Sequence, residues 1–225
     1  MGPVTLECFS RLAGSRRSVR AFLPVAVAPE LLEQVFRVAQ SAPSNCNTQP
    51  WVVHVVSGKK LAKLGALLQE AVERGEYSMD FPYSGQYEGK CRERQHEAAA
   101  LLYGVMGIAR DDREARQQAF LRNFAFFGAP HVAFLFLPEE FSLREAADLG
   151  MYAQNLMLTM RAAGLGSCAQ TALGFHANQV REFLGVPPAM KLLFGISFGY
   201  EDSAASANTV QTGRALLSDV VVFHG

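Results

Sequence analysis

Tryptophan and cysteine are scarce in this 225-residue chain and net charge is absent: it has one Trp, four Cys, and 21 basic against 21 acidic side chains. The balanced charge excludes a nucleic-acid or membrane-surface binder that works through bulk electrostatics. Cys8, Cys46, Cys91 and Cys168 are widely scattered and form no C-x-x-C pair. That argues against a disulfide scaffold and for reduced thiols in the cytoplasm. The five histidines include no i, i+4 pair and do not cluster with cysteine, so no zinc site is expected. No charged-then-apolar leader opens the sequence. The longest apolar stretch, 146–165, is interrupted by Asp148, Gln154, Asn155 and Arg161, so it reads as a buried helix and not a bilayer span. Internal repeats, low-complexity tracts and linkers are also lacking. The expectation is one domain over 1–225, long enough to bury a full core.

What is present is apolar and patterned. About half the residues are hydrophobic, and 16 Phe imply a large core or a large apolar interface. Residues 5–13 predict a short helix that delivers the Arg cluster behind it. Pro29 and Glu30 open a second helix with proline at its first position. Residues 51–57 read as a strand and 59–74 as an amphipathic helix. Stretches 91–107 and 111–127 resume helical character. The continuous apolar run 131–137 marks a central strand. Ser142 and Glu145 form a capping box for a long helix that runs to Ala163 and is stopped by Gly164 and Gly166. Residues 178–184 predict a short helix, 191–200 a second central strand, and 220–223 a strand-like tail. Together these elements imply an α+β domain. Between them, 75–89 sets Tyr77, Phe81, Pro82, Tyr83 and Tyr87 among glycines and polar residues, as a lid would.

Two motif matches fail on context. Residues 164–169 fit G-x-G-x-x-A, but a dinucleotide fingerprint follows a strand, and this one follows a helix. Residues 195–199 fit the nucleophile elbow G-x-S-x-G around Ser197, with Asp202 or Asp219 and then His224 in hydrolase order. The elbow needs a sharp strand-to-helix turn, whereas strand character here continues through Tyr200.

Two polar segments carry more. Arg16, Arg17, Ser18 and Arg20 offer cationic forks and a hydroxyl suited to a phosphate. Ser44, Asn45, Asn47 and Gln49 offer the amides and hydroxyl that ribityl hydroxyls and a pyrimidine edge require, and they run straight into the strand at Trp51. Taken singly, the first is a solvated turn and the second a loop of turn formers. Taken together they point to a flavoprotein.

The paired signatures R-R-S-V-R-x-F and A-P-S-x-x-N-x-Q-P-W resemble those of the FMN-dependent nitroreductases, and the resemblance covers nearly the whole chain. The run 164–168 after a long helix, the segment 123–130 and a late Arg214 support it. The resemblance implies a three-layer α/β/α sandwich around a mostly antiparallel sheet, in an intertwined homodimer with active sites at the subunit interface. It implies that Arg16, Arg17 and Ser18 face the FMN phosphate and ribityl end. Arg20 would lie near the ribityl and pyrimidine side, and Arg214 would close on the phosphate. Pro43, Ser44, Asn45 and Asn47 would reach the flavin of the other subunit. Gln170, Thr171 and Ala172 fall where backbone groups meet the ring near N5, although Thr171 stands where better-known members carry a Glu. Tyr83 and Phe126 would line the substrate cleft, with a lid-like segment near 75–95; Phe124 and Phe127 read as core. Cys46 and Cys168 lie inside these motifs as small packing residues.

The implied activity is ping-pong: NAD(P)H gives hydride to flavin N5, then a nitroaromatic or quinone takes its place. No residue of the protein need act as a catalytic acid, base or nucleophile, because the cofactor holds the chemistry. Three other readings stay open: a flavin-dependent oxidase or dehydrogenase of a small molecule, a non-enzymatic flavin-binding redox sensor, and a serine hydrolase using Ser197.

Overall fold

A computed structural model describes residues 5–225. In chain order the elements are α1 (Leu6–Ser15), α2 (Pro29–Ala39), β1 (Val52–Ser57), α3 (Gly58–Glu73), α4 (Gly89–Val105), α5 (Arg113–Leu121), β2 (His131–Pro138), α6 (Leu143–Ala162), β3 (Gly166–Gln170), α7 (Ala177–Leu184) and β4 (Met190–Gly199). The four strands form one sheet in the order β1-β2-β4-β3, and each neighbouring pair is antiparallel. The α+β expectation holds.

The apolar run of β2 explains how the sheet is buried. Side chains alternate across a strand. Val132, Phe134 and Phe136 therefore enter one core, with Leu61, Leu64 and Leu68 of α3 and Val180 of α7. Ala133, Leu135 and Leu137 enter a second core on the opposite face, with Val35 and Ala39 of α2 and Leu149, Tyr152, Leu156 and Met160 of α6. A strand covered on both faces has no polar side to show, hence the unbroken hydrophobicity. The register slips between Leu135 and Phe136. This bulge lets Leu192 of β4 face the first core while Ile196 and Phe198 face the second.

Helix α6 begins as the sequence requires: the Glu145 carboxylate accepts the Ser142 N–H at 3.0 Å. Elsewhere the structure corrects the sequence. Strand β3, Gly166–Gln170, was not anticipated, because Gly-Ser-Cys-Ala-Gln carries no β-branched or aromatic residue. The helix expected over 111–127 ends at Leu121, and Phe126–Gly128 is a 3-10 turn in which Phe126 and Phe127 adopt positive φ. The tail at 220–223 forms no strand, since it has no partner to pair with, and Val222 and Phe223 stand exposed. Among the described residues no helix is long and apolar enough to cross a membrane.

Buried His131 ties three segments together. Its Nε2 accepts the Val27 N–H at 2.9 Å, while Nδ1 meets the Ser57 hydroxyl. An Nε2 that accepts must be unprotonated, so the folded state holds this ring neutral. Burial lowers the pKa of His131, and it is the largest cause of the lowering at His54 and His176. As pH falls below about 6.5 the unfolded chain takes up protons that the folded chain declines. The histidine contribution to stability is therefore complete above about pH 6.5. It is lost as the pH drops toward the lowered folded values, at no more than about 1.4 kcal/mol per pH unit for each ring. Urea midpoints at pH 7.5, 6.5 and 5.5 should fall in that order; a midpoint that rises on acidification contradicts the assignment.

Candidate functional site

The Arg cluster is positioned by the outer edge of β3. Beyond α1 the chain turns extended at Arg16 and runs beside Ser167, with a parallel bridge at Ser18 and a Val19 N–H to Ser167 carbonyl bond of 3.0 Å. Gly166 allows the approach: a Cβ there would lie 2.8 Å from Val19 Cγ2. Asn208, buried at 3 % exposure, anchors the other side. It accepts the Arg20 N–H at 2.7 Å and donates to the Ala21 and Asp202 carbonyls at 2.8 Å each. Both Asn208 and Glu201 sit in a stretch without sequence pattern, and neither was singled out from sequence.

The guanidiniums are not equivalent. Arg17 is ion-paired with Glu201, yet its Nη1 is buried without a partner. Arg20 turns back on the Ser18 carbonyl. Arg16 forms no ion pair among the described residues; burial, then the nearby positive charge of Arg214, lowers its pKa. Arg214 comes from the opposite end of the chain, exposed and folded onto its own tail through Thr212 and Gly213. Positive charge left without a carboxylate partner favours an anion. Cys168 lies beneath this cluster. Burial pushes its thiol up against the pull of Arg20, Ser18 and Arg16, which suits a neutral packing residue.

At the end of β3, Gln170 is held from two sides. Its Nε2 donates to the Asn123 carbonyl at 3.0 Å and Oδ1 at 3.2 Å, and its Oε1 accepts from Ser197. Ser197 therefore lies within a continuous strand, fully buried and engaged, with no elbow around it. Its motif context excludes the hydrolase arrangement. Thr171 opens a 3-10 turn and is exposed, whereas Ala172 is buried.

The second polar segment projects from the α2 side. Pro43, Asn45, Asn47 and Gln49 are exposed, and Ser44 is half-buried. Cys46, Asn47 and Gln49 hold φ of 50°, 57° and 46°, which is costly for residues other than glycine. Among the described residues no hydrogen bond or ion pair joins these residues to the Arg cluster. Tyr83 stacks on Phe175 with centroids 5.7 Å apart. Phe126 is 3 % exposed and packs edge-on against Phe134, and it also lines a groove with Leu61, Gly65, Gln69 and Pro130. Residues 89–95 belong to α4, and Ser78 and Asp80 are tied to Phe175, Gln179 and Arg181.

Comparison with known proteins places this geometry. The nitroreductase family model matches residues 13–200. The chain is 46 % identical over 218 residues to the nitroreductase NfnB of Mycolicibacterium smegmatis, covering 96 % of this chain and 93 % of the relative. It is 33 % identical to the 4-nitrobenzoate reductase of Pseudomonas putida, with 96 % of each covered. The crystal structure of the FMN-dependent nitroreductase NfnB from Mycobacterium smegmatis in complex with NADPH superposes with a TM-score of 0.94 at 45 % identity, over 97 % of this chain and 99 % of that one.

Proposed function

Because this chain belongs to the nitroreductase family, we propose that it is an FMN-dependent NAD(P)H nitroreductase, an oxidoreductase acting on nitroaromatic acceptors. The carrying observation is the Arg16–Arg20 segment held along the edge of β3, with Arg16 and Arg214 both without an ion pair among the described residues. That donor set fits FMN: a terminal phosphate needs charge-assisted donors, and the unpartnered buried Nη1 of Arg17 supplies one more.

When bound, FMN supplies a ring that accepts hydride from the nicotinamide and delivers electrons to the acceptor. The chain's own residues bind and orient. Arg16, Arg17, Ser18 and Arg214 hold the phosphate end. Arg20 lies toward the ribityl and pyrimidine side, where positive charge stabilises negative charge on the ring. Backbone groups at Gln170, Thr171 and Ala172 meet the ring; the Gln170 side chain is already committed to Asn123 and Ser197, so only its main chain is free for that task. Tyr83 borders the acceptor site by stacking, and residues 81–88 form the part of the segment free to act as a lid. Quinones suit the same flat site.

The site is completed by a second copy. Ser44, Asn45 and Asn47 make no hydrogen bond to the Arg cluster of their own chain among the described residues, which supports their reaching the flavin of a partner in an intertwined homodimer of three-layer α/β/α subunits. Two uncovered surfaces support the dimer: the apolar tail of Leu216, Leu217, Val222 and Phe223, and the edge strand β1 with Val52 and Val55 exposed. The unbridged cysteines, three of them exposed, fit a reducing cytoplasm.

The test is an absorbance spectrum of the purified protein followed by anaerobic NADH, then NADPH. Flavin bands should bleach with a nicotinamide and return on adding a nitroaromatic. Bands that never bleach favour the oxidase or sensor readings; absence of flavin after incubation with FMN overturns the proposal.

A further inference from the structure

Helix α6 holds the polar segment between α2 and β1 at three separate points. Asp148, Tyr152 and Asn155 are spaced i, i+4, i+7 and share one helix face. The Asp148 Oδ2 accepts the Asn45 N–H at 3.1 Å. The Tyr152 ring stacks on Trp51 with centroids 4.9 Å apart and planes 23° apart. The Asn155 Nδ2 donates to Ser41 Oγ at 3.2 Å and to the Ala39 carbonyl at 3.5 Å. These contacts fall before, within and after the loop.

The loop needs such a hold. Three of its residues sit at positive φ without being glycine. Its other bonds are local, from the Gln49 N–H to Ser44 Oγ at 2.9 Å and from the Asn47 N–H to the Ser44 carbonyl at 3.1 Å. Local bonds close the loop on itself and leave its placement on the body undetermined. Asp148 is 4 % exposed and has no cationic partner among the ion pairs of the described residues. A buried carboxylate is unfavourable unless hydrogen-bonded, and an apolar side chain would pack on this face without that cost.

We infer that Asp148 is a positioning residue for the cofactor loop: with Tyr152 and Asn155 it makes α6 a rigid face that fixes where Ser44, Asn45 and Asn47 stand. The inference rests on the FMN reading above. Asp148 acts through the loop backbone and touches neither cofactor nor substrate.

Trp51, the one tryptophan of the chain, reports on the seat of the loop. In purified holoenzyme, Asp148→Ala should leave Trp51 more accessible to acrylamide at matched flavin occupancy. FMN release, read from free-flavin emission on dilution, should show binding weakened at least about ten-fold, the low end of the worth of one hydrogen bond to a charged group. Asp148→Asn keeps an acceptor oxygen and should restore both readings to within about three-fold of wild type. Unchanged Trp51 quenching in Asp148→Ala overturns the inference. Trp51 freed while FMN is held as tightly as before also overturns it, and leaves the FMN reading intact. An Asp148→Asn variant as impaired as Asp148→Ala shows that charge, and not the acceptor, matters, and overturns it too. Wild-type protein that takes up no flavin overturns the functional reading first, before any variant is made. Should Asp148→Ala not fold, Asn45→Pro against Asn45→Ala repeats the test from the donor side. Proline there deletes the N–H, and the extended Ser44 before it (φ −147°, ψ 157°) accommodates it. Equal FMN affinity and equal Trp51 quenching in that pair overturn the inference.

Discussion

Arg16→Ala combined with Arg214→Ala should yield a folded, colourless protein. Neither guanidinium is paired with a carboxylate among the described residues, so no partner is stranded by its removal. Removing two like charges that have no ion pair costs the fold little; surface substitutions of this kind usually stay within about 0.5 kcal/mol. The cofactor loses more. A hydrogen bond to a charged group is worth about 1.5–3 kcal/mol. Losing one from each arginine weakens FMN by roughly 3–6 kcal/mol, or about two to four powers of ten in Kd. The measurement is flavin absorbance after desalting, beside a circular dichroism melt. Stoichiometric yellow FMN in the double variant would mean that the phosphate lies elsewhere. A melt that collapses would mean that the arginines belong to the fold.

Asp80→Ala should be the most destabilising single change in the site's surroundings. Asp80 and Arg181 form an ion pair with side chains 8 % and 9 % exposed. The same Asp80 Oδ2 accepts the Leu192 N–H at 2.7 Å, at the start of β4. Truncation strands a buried guanidinium, which keeps only Asn178 and the Met190 carbonyl, and also strands a backbone donor. Breaking a buried pair from one side costs about 3–5 kcal/mol. For a domain of this size that lowers Tm by about 10 °C, at about 2–4 °C per kcal/mol. Asp80→Asn keeps an acceptor for Leu192 and should lose less. Urea unfolding of the two variants decides the matter; equal midpoints would show that the carboxylate charge, and not the bond to β4, carries the effect. Because Asp80 anchors the chain just before residues 81–88, its loss should also speed proteolytic cleavage there.

Much of the fold was legible because burial leaves a mark in composition. The unbroken run of β2 follows from being covered on both faces, and the apolar spacing of α2 and α3 from being covered on one. The capping box of α6 and the proline that opens α2 are local signals with local causes. Strand β3 was not legible, because its five residues become a strand only when β4 offers a ladder. The site divides in the same way. The Arg cluster and the Ser44–Asn47 amides announce themselves as polar residues where a core chain would be apolar. Phe126 was less legible, because an aromatic beside a functional segment looks the same whether its ring faces a cleft or the core; in the fold it is 3 % exposed against Phe134.

The sequence by itself determined which chemistry is available: arginines, amides and hydroxyls suited to a phosphorylated cofactor. Tertiary structure alone decided which arginines are free. Arg17 is paired through Nη2 with Glu201, 184 residues away, while Arg16 has no ion pair among the described residues. It also decided that Gln170 is spent on Asn123 and Ser197, and that Asp148 supports a loop 103 residues earlier. The reason is physical. Residue type sets what a side chain can donate, accept or carry, whereas availability depends on what the fold brings within about 3 Å of it, and the order of residues along a chain does not encode that distance.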